Sequence, residues 1–200
     1  TLSKTAATLT DYAPDKNGKN KETVPVLSDS EFEEMYQNVL SALEKKSSLE
    51  QEISAANAEI ERIKAWGKFS PEDVKRVRED GYDLHFYRLG KNEYQMALQD
   101  PEIKMIALTP VDKMHTVAVL GTLPVTIPAA EFTLPEKGID ALTAQIEHCQ
   151  TEIGTCEETL KKSSIYDASF QVQMLKAQNA ENYSSASETA EIDENFVWIS

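Results

Sequence analysis

The chain has 200 residues, with 34 acidic against 20 basic side chains and a formal net charge of −14. That balance argues against nucleic acid, because phosphate binding needs clustered Lys and Arg, and against an anionic lipid surface. It describes a soluble, self-repelling acidic protein, with an acidic strut that meets basic partners as the sharper alternative.

Residues 1–13 have weak amphipathic character and read as the tail of a helix begun upstream. Pro14, Gly18 and Pro25, with Lys and Asn between them, read as a solvated loop. Residues 1–27 thus form one segment, a helix end plus loop. Ser28-Asp-Ser-Glu31 is a capping box that opens a long helix over 28–65. Along it Phe32, Met35, Val39, Ala42, Lys46, Leu49, Ile53, Ala56, Ile60 and Ile63 recur at alternating three- and four-residue steps. Such a heptad seam predicts a coiled coil rather than a globular helix. Lys46 is its polar interruption, which weakens packing locally and helps fix register. The acids Glu44, Glu50, Glu52, Glu59 and Glu61 read as the solvated face.

Trp66-Gly67 opens a compact segment over 66–136. Ser70-Pro71-Glu72-Asp73 combines a cap, a proline at the first helical position and acids at the positive end of the helix dipole. That helix should end near Asp80, with Gly81 in a left-handed conformation. A strand over Tyr82–Arg88 follows, then a helix over Asn92–Leu98 stopped by Asp100-Pro101. Ile103–Thr109 and Thr116–Leu120 are strands joined around Pro110-Val111-Asp112-Lys113. Pro124, Pro128 and Pro135 punctuate the return to a second long helix over 137–190.

The second helix has its own seam: Ile139, Leu142, Ile146, Cys149, Ile153, Cys156 and Leu160, then Phe170, Met174 and Ala177. Unbroken, it would run roughly 70 Å at about 1.5 Å per residue. Gly154, and Ser163 and Asp167 on seam positions, predict a bend or loosening. The run Ser184-Ser-Ala-Ser-Glu188 is not helix-specific. Ile192 and Phe196-Val-Trp-Ile199 return to strand character, so 191–200 reads as the start of a second lobe and the chain as a piece of something larger. The predicted class is α+β: a long antiparallel two-helix coiled-coil hairpin with a small α/β lobe at its tip and the compact core confined to the middle segment.

Cys149 and Cys156 stand roughly 10 Å apart along one helix, too far for a disulfide with each other. They read as small apolar seam residues of a reducing, cytoplasmic compartment, with pairing to another chain left open. No run approaches the ~20 consecutive apolar residues of a membrane span, and no leader peptide opens the sequence.

The residues carry little that suggests chemistry. None of the seven glycines sits in a phosphate-loop or dinucleotide frame. His85, His115 and His148 lack metal spacing with the cysteines, although His85 and His115 lie on strands of one lobe that could bring them together. No Ser sits in a nucleophile elbow. No catalytic residue, metal or cofactor is assigned. Two features remain as interaction candidates. One is the basic group Lys75, Arg76, Arg78, Arg88 and Lys91, for which a solvated face paired with nearby acids is the simpler reading. The other is the aromatic group Trp66, Phe69, Tyr82, Phe86 and Tyr87, which is more simply a lobe core.

Ile60-x-x-Ile63-x-x-Trp66-Gly67-x-Phe69-x-Pro71-Glu72, closing a coiled-coil helix, resembles subunit I (subunit a in eukaryotes) of the V-type and archaeal-type rotary ATPases. In that family a Pro-Trp-Gly-like turn precedes a helix, a glycine and a strand such as Gly81-Tyr82-Asp83-Leu84-His85-Phe86-Tyr87. Leu134-Pro135 is similar to the Leu-Pro before the return helix, and Phe196-Val197-Trp198-Ile199 to a strand before a Gly-Trp-Val-Pro-like turn that lies beyond this chain. Ala65 stands where the family commonly has Pro.

The resemblance covers most of the chain, and its motifs are short and architectural. It implies a non-catalytic stator scaffold on the cytoplasmic face of the membrane. Its partners would be the peripheral-stalk subunits E and G and, through a C-terminal half outside this chain, the ion-translocating membrane sector. Docking through Lys75, Arg78 and Arg88 is the expectation. A generic coiled-coil adaptor, and an insertion in an enzyme whose site lies elsewhere, are the competing classes. Long apolar spans downstream would favour the ATPase, and a phosphate-binding loop the alternatives.

Overall fold

The computed structural model describes residues 2–13, 24–108, 110, 113–121, 127 and 129–195. Among these the chain is α+β, with six α-helices and a three-stranded antiparallel sheet. The elements are α1 (Leu2–Thr10), α2 (Asp29–Ile63) with a closing 3-10 turn (Lys64–Trp66), α3 (Pro71–Glu79), β1 (Leu84–Leu89), α4 (Lys91–Gln99), β2 (Lys104–Ala107), β3 (His115–Leu120), α5 (Ile139–Ser164) and α6 (Asp167–Asn195). The chain divides into two compact units, Glu50–Gln150 and Thr1–Leu49 with Thr151–Ser200.

In the unit Glu50–Gln150 the sheet order is β1-β3-β2. Strand alternation sorts the side chains onto two faces. Tyr87, Leu89, Val117 and Val119 meet Ala97 and Tyr94 of α4 on one face, with Ile103, Met105 and Ile127. On the other, Phe86 and Ala118 meet Ile63, Trp66 and Leu142. The outer edge of β1 is covered where Phe132 N–H donates to Phe86 O at 2.6 Å and Tyr87 bridges Glu131.

Local signals in this unit act as expected. Ser70 Oγ accepts from Asp73 N–H at 3.2 Å with Pro71 first in α3. Gly81 has φ +88°, the left-handed stop. Gly138 has a different duty: a Cβ there would lie 2.6 Å from the backbone O of Phe69. Gly138→Ala is therefore expected to cost about 2 kcal/mol through forced backbone movement. Gly154, by contrast, lies within α5 with nothing within 4 Å of an added Cβ. Gly154→Ala is expected to stabilise by up to about 1 kcal/mol. Opposite shifts of the two urea midpoints check the pair.

The other unit has an apolar core of its own, so the core is not confined to the middle segment. Phe32, Val39 and Ala42 of α2 pack with Cys156 and Leu160 of α5, Phe170 of α6, and Ala6 and Leu9 of α1. The Ser28–Glu31 box forms reciprocally: Ser28 N–H donates to Glu31 Oε2 at 2.9 Å and Glu31 N–H to Ser28 Oγ at 3.4 Å. Burial of Leu9 contributes about 2 kcal/mol, so α1 is a member of this core rather than a loose end. Its weak pattern hides that, because the buried residues are Thr5, Ala6 and Leu9.

The return segment 137–190 is two helices, interrupted at Ile165–Tyr166. The expected loosening is thus a full break. Ser163 and Ser164 turn their hydroxyls back onto Thr159 O and Lys161 O at 3.0 and 2.7 Å, a habit that weakens helices. Asp167 then starts α6, where a carboxylate suits the positive end of the dipole. The apolar seam residues are buried or half-buried through Met174, while Asp167 and Ala177 are exposed. Residues 191–195 belong to α6 and not to a strand, since the acid-rich Glu188–Asn195 stretch continues a helix more readily than it alternates. Phe196–Ser200, most of the 14–27 loop, Thr109, the Val111-Asp112 turn, Pro124 and Pro128 lie outside the described residues.

Candidate interaction sites

The five basic residues are spread over three elements, α3, β1 and α4. On α3, Lys75 pairs with Glu79 at 3.7 Å and Arg76 with Asp73 at 2.9 Å. Arg78 Nη2 donates to Leu84 O at 3.3 Å, tying α3 to the start of β1. Arg88 lies four residues further along β1, about 13 Å at 3.3 Å per residue. It stands opposite Thr116, and its Nε is buried without a hydrogen-bond partner. Lys91 opens α4 and lines a shallow groove with Gly90, Asn92, Glu93 and Met114. Lys75 and Arg76 are thus paired with nearby acids, while Arg78 meets a backbone carbonyl.

The aromatic group also divides. Trp66 and Phe86 meet edge-on at 5.4 Å, with Phe132 tilted against Trp66 at 5.1 Å. Tyr87 is buried on the opposite face of the sheet, Phe69 is half-buried, and Tyr82 is 55 % exposed. Burial, and then the Glu131 charge, raise the Tyr87 hydroxyl above the usual phenol range.

His85 and His115 stay apart. The strand register sets His85 against Val119 and His115 against Leu89, four residues away. His85 Nδ1 lies 2.8 Å from Glu131 Oε1, while His115 stacks on Tyr94 at 4.0 Å. His148 is exposed on α5. Among the described residues no group of three His, Cys, Asp or Glu side chains is arranged to hold a metal. Cys149 and Cys156 are both buried, and neither forms a disulfide.

One polar cluster escaped the sequence as a site. Lys46 Nζ donates to Glu157 Oε1 at 2.7 Å and to Tyr12 Oη at 2.9 Å, and lies 5.2 Å from the Tyr12 ring centre. Hydrogen bonds that Lys46 donates to Glu157 and to Tyr12 raise its ammonium well above the ordinary lysine range. The Lys46 hydrogen bond, and then its charge, hold Glu157 below the usual carboxylate range. The Glu157 contribution is therefore present above the ordinary carboxylate pKa and fades as pH falls through the lowered one. The polar seam position was legible in the sequence, but neither partner was, because Tyr12 and Glu157 reach it from other elements. A groove of about 300 Å³, lined by Leu27, Glu31, Met35, Thr159, Ser163 and Tyr166 among others, opens elsewhere in the same unit.

No helix among the described residues is long and apolar enough to cross a membrane. The chain matches no family model, no curated protein and no solved structure.

Proposed function

We propose that this chain is a non-catalytic stator scaffold of a V-type rotary ATPase, part of the cytoplasmic region of its subunit I. In this reading α2 goes out and α5 and α6 return as an antiparallel coiled-coil hairpin. Residues 66–136 form the lobe at its tip. The lobe docks the peripheral-stalk subunits E and G, while a membrane half outside this chain carries the ion path. A stator must resist torque, and a stiff helical member with attachment points at its ends suits that task.

The observation that carries the reading is the seam of α2. Every one of its positions from Phe32 to Ile63 is buried or half-buried, Lys46 included. The seam then ends in the Trp66-Gly67 turn that bears the family resemblance, with Gly67 at φ +69°.

Calorimetric titration with a purified E–G heterodimer tests the proposal, and saturable binding that weakens with salt is the expected result. Charge reversal at Lys75, Arg78 and Arg88 together should weaken that binding about tenfold or more. Unchanged affinity would remove the basic residues as the docking site. The second reading is a coiled-coil tether unrelated to ATPases. It draws support from the pairing of Lys75 with Glu79 and of Arg76 with Asp73, which offsets part of the positive charge of α3. Absence of any binding to E–G would favour it.

A further inference from the structure

We propose that β2 is a self-pairing edge, along which two copies of this chain join their sheets by antiparallel β2–β2 contact centred on Ile106. The proposal does not depend on the stator reading. Its first support is the phase of the sheet's hydrogen bonds. Gly121 N–H donates to Asp83 O at 3.2 Å, and Leu108 N–H to Thr116 O at 2.9 Å. Antiparallel partners alternate between bonded and non-bonded pairs. In the observed register Lys104, Ile106 and Leu108 therefore turn their backbone groups towards β3, while Met105 and Ala107 turn theirs outwards. The same phase turns Leu84 and Phe86 of β1 outwards. There Leu84 O accepts from Arg78 Nη2 and Phe86 O from Phe132 N–H, so that edge is occupied. The outward groups of Met105 and Ala107 meet no hydrogen-bond partner among the described residues. Such an edge is a template for a further strand.

The second support is self-complementarity. Setting Met105 opposite Ala107 of a second copy pairs every outward N–H and C=O of both residues in both copies. Sliding the pairing by two residues sets Ala107 opposite Ile103, whose N–H already donates to Asp100 O. In the complete register Ile106 lies on the two-fold axis and faces its own copy as a non-bonded pair, where side chains approach most closely. Ile106 is 61 % exposed. Phe86 and Ala118, in line with it on the same face, pack in the cluster with Trp66 and Leu142. Lys104, the charged residue of β2, falls opposite Leu108, so no like charges oppose one another.

The edge is short, with four residues spanning about 13 Å. That is well below what a stable interface of about 1,200 Å² requires, and each copy carries a net charge of −14. The dimer is expected to be weak, with a dissociation constant on the order of 100 μM. It should tighten as salt screens the mutual repulsion.

Sedimentation velocity of the full chain up to about 1 mM, at low and high salt, should show that monomer–dimer equilibrium. Ile106→Lys sets two ammonium groups face to face and should weaken it about tenfold or more. Ile106→Cys reports the register directly. Non-bonded partners have Cα atoms about 4.5 Å apart, within the range of a disulfide. Mild oxidation should therefore cross-link this variant at least about tenfold faster than Tyr82→Cys, which alters an exposed residue of the same unit. The wild-type chain, with Cys149 and Cys156 buried, is the second control. A chain that stays monomeric, with Ile106→Cys cross-linking no faster than Tyr82→Cys, would overturn the proposal. So would a dimer that Ile106→Lys leaves intact, because it would use another face. A chain monomeric alone, whose β2 amides gain exchange protection only with an extended peptide of different sequence, would also overturn it and assign the edge to a foreign strand.

Discussion

Phe170→Ala is expected to destabilise the unit Thr1–Leu49 with Thr151–Ser200 by about 3–5 kcal/mol, the usual range for deleting a buried phenyl ring. Phe170 is 1 % exposed. Its ring meets Phe32 edge-on at 5.0 Å and Tyr36 at 6.2 Å. The ring also secures α6 to α2 just after the break at Ile165–Tyr166, with help from the Leu27 N–H bond to Ser169 Oγ at 3.0 Å and the Lys176–Asp29 pair. The ion pair is exposed and contributes little, and one part-buried hydrogen bond adds about 1 kcal/mol, so the ring carries most of the attachment. The unit Glu50–Gln150 keeps two apolar clusters without it. Urea unfolding should therefore lose coincidence, with helical signal from α6 falling early and the sheet later. A single coincident transition at the wild-type midpoint would mean that Phe170 contributes little to this core.

Seam residues and local stop signals were legible because their causes are local. Ser28–Glu31, Ser70-Pro71 and Gly81 act within a turn of themselves, and each does in the structure what its chemistry dictates. The strands were placed to within two residues for the same reason: Phe86-Tyr87 and Val117–Val119 alternate between two buried faces. What the sequence hid depends on distant partners. Nothing near Thr5, Ala6 and Leu9 says that they complete a core, because small side chains give a faint period. Lys46 was visible as an irregularity, yet its role needs Tyr12 and Glu157 brought to it by other helices. The break at Ile165–Tyr166 was legible as weakness but not as a helix end, since two serines turning onto the backbone decide it together. Ile192 suggests a strand, but Asp193 and Glu194 beside it suit a helix, and α6 runs through to Asn195. The basic group, continuous in sequence, is shared among α3, β1 and α4, and its engagement with Asp73, Glu79 and Leu84 O depends on those elements being in place.

Trp66→Ala is expected to cost about 3–5 kcal/mol in the unit Glu50–Gln150, while Trp66→Phe should cost no more than about 1.5 kcal/mol. The difference follows from what the indole does. Trp66 is 7 % exposed where the turn after α2 meets the sheet, and it packs with Ile63, Phe86 and Leu142 while lying against the Phe132 ring. Its Nε1 is buried without a hydrogen-bond partner. A buried donor of that kind normally costs about 1–3 kcal/mol. Phenylalanine removes that penalty together with some volume, so the two changes oppose each other. Alanine removes the ring that Phe86 and Phe132 share and leaves a cavity that the β1–β3 pairing cannot close. Equilibrium unfolding of the two variants separates these terms. Equal losses for Phe and Ala would show that a six-membered ring at this position contributes nothing to the joint, and would overturn the packing account. A small Phe loss beside a large Ala loss would establish the aromatic contact as the joint between helix and lobe. In the stator reading, torque would pass from α2 into the sheet through that joint, and Trp66→Ala should then weaken E–G binding even with Lys75, Arg78 and Arg88 intact.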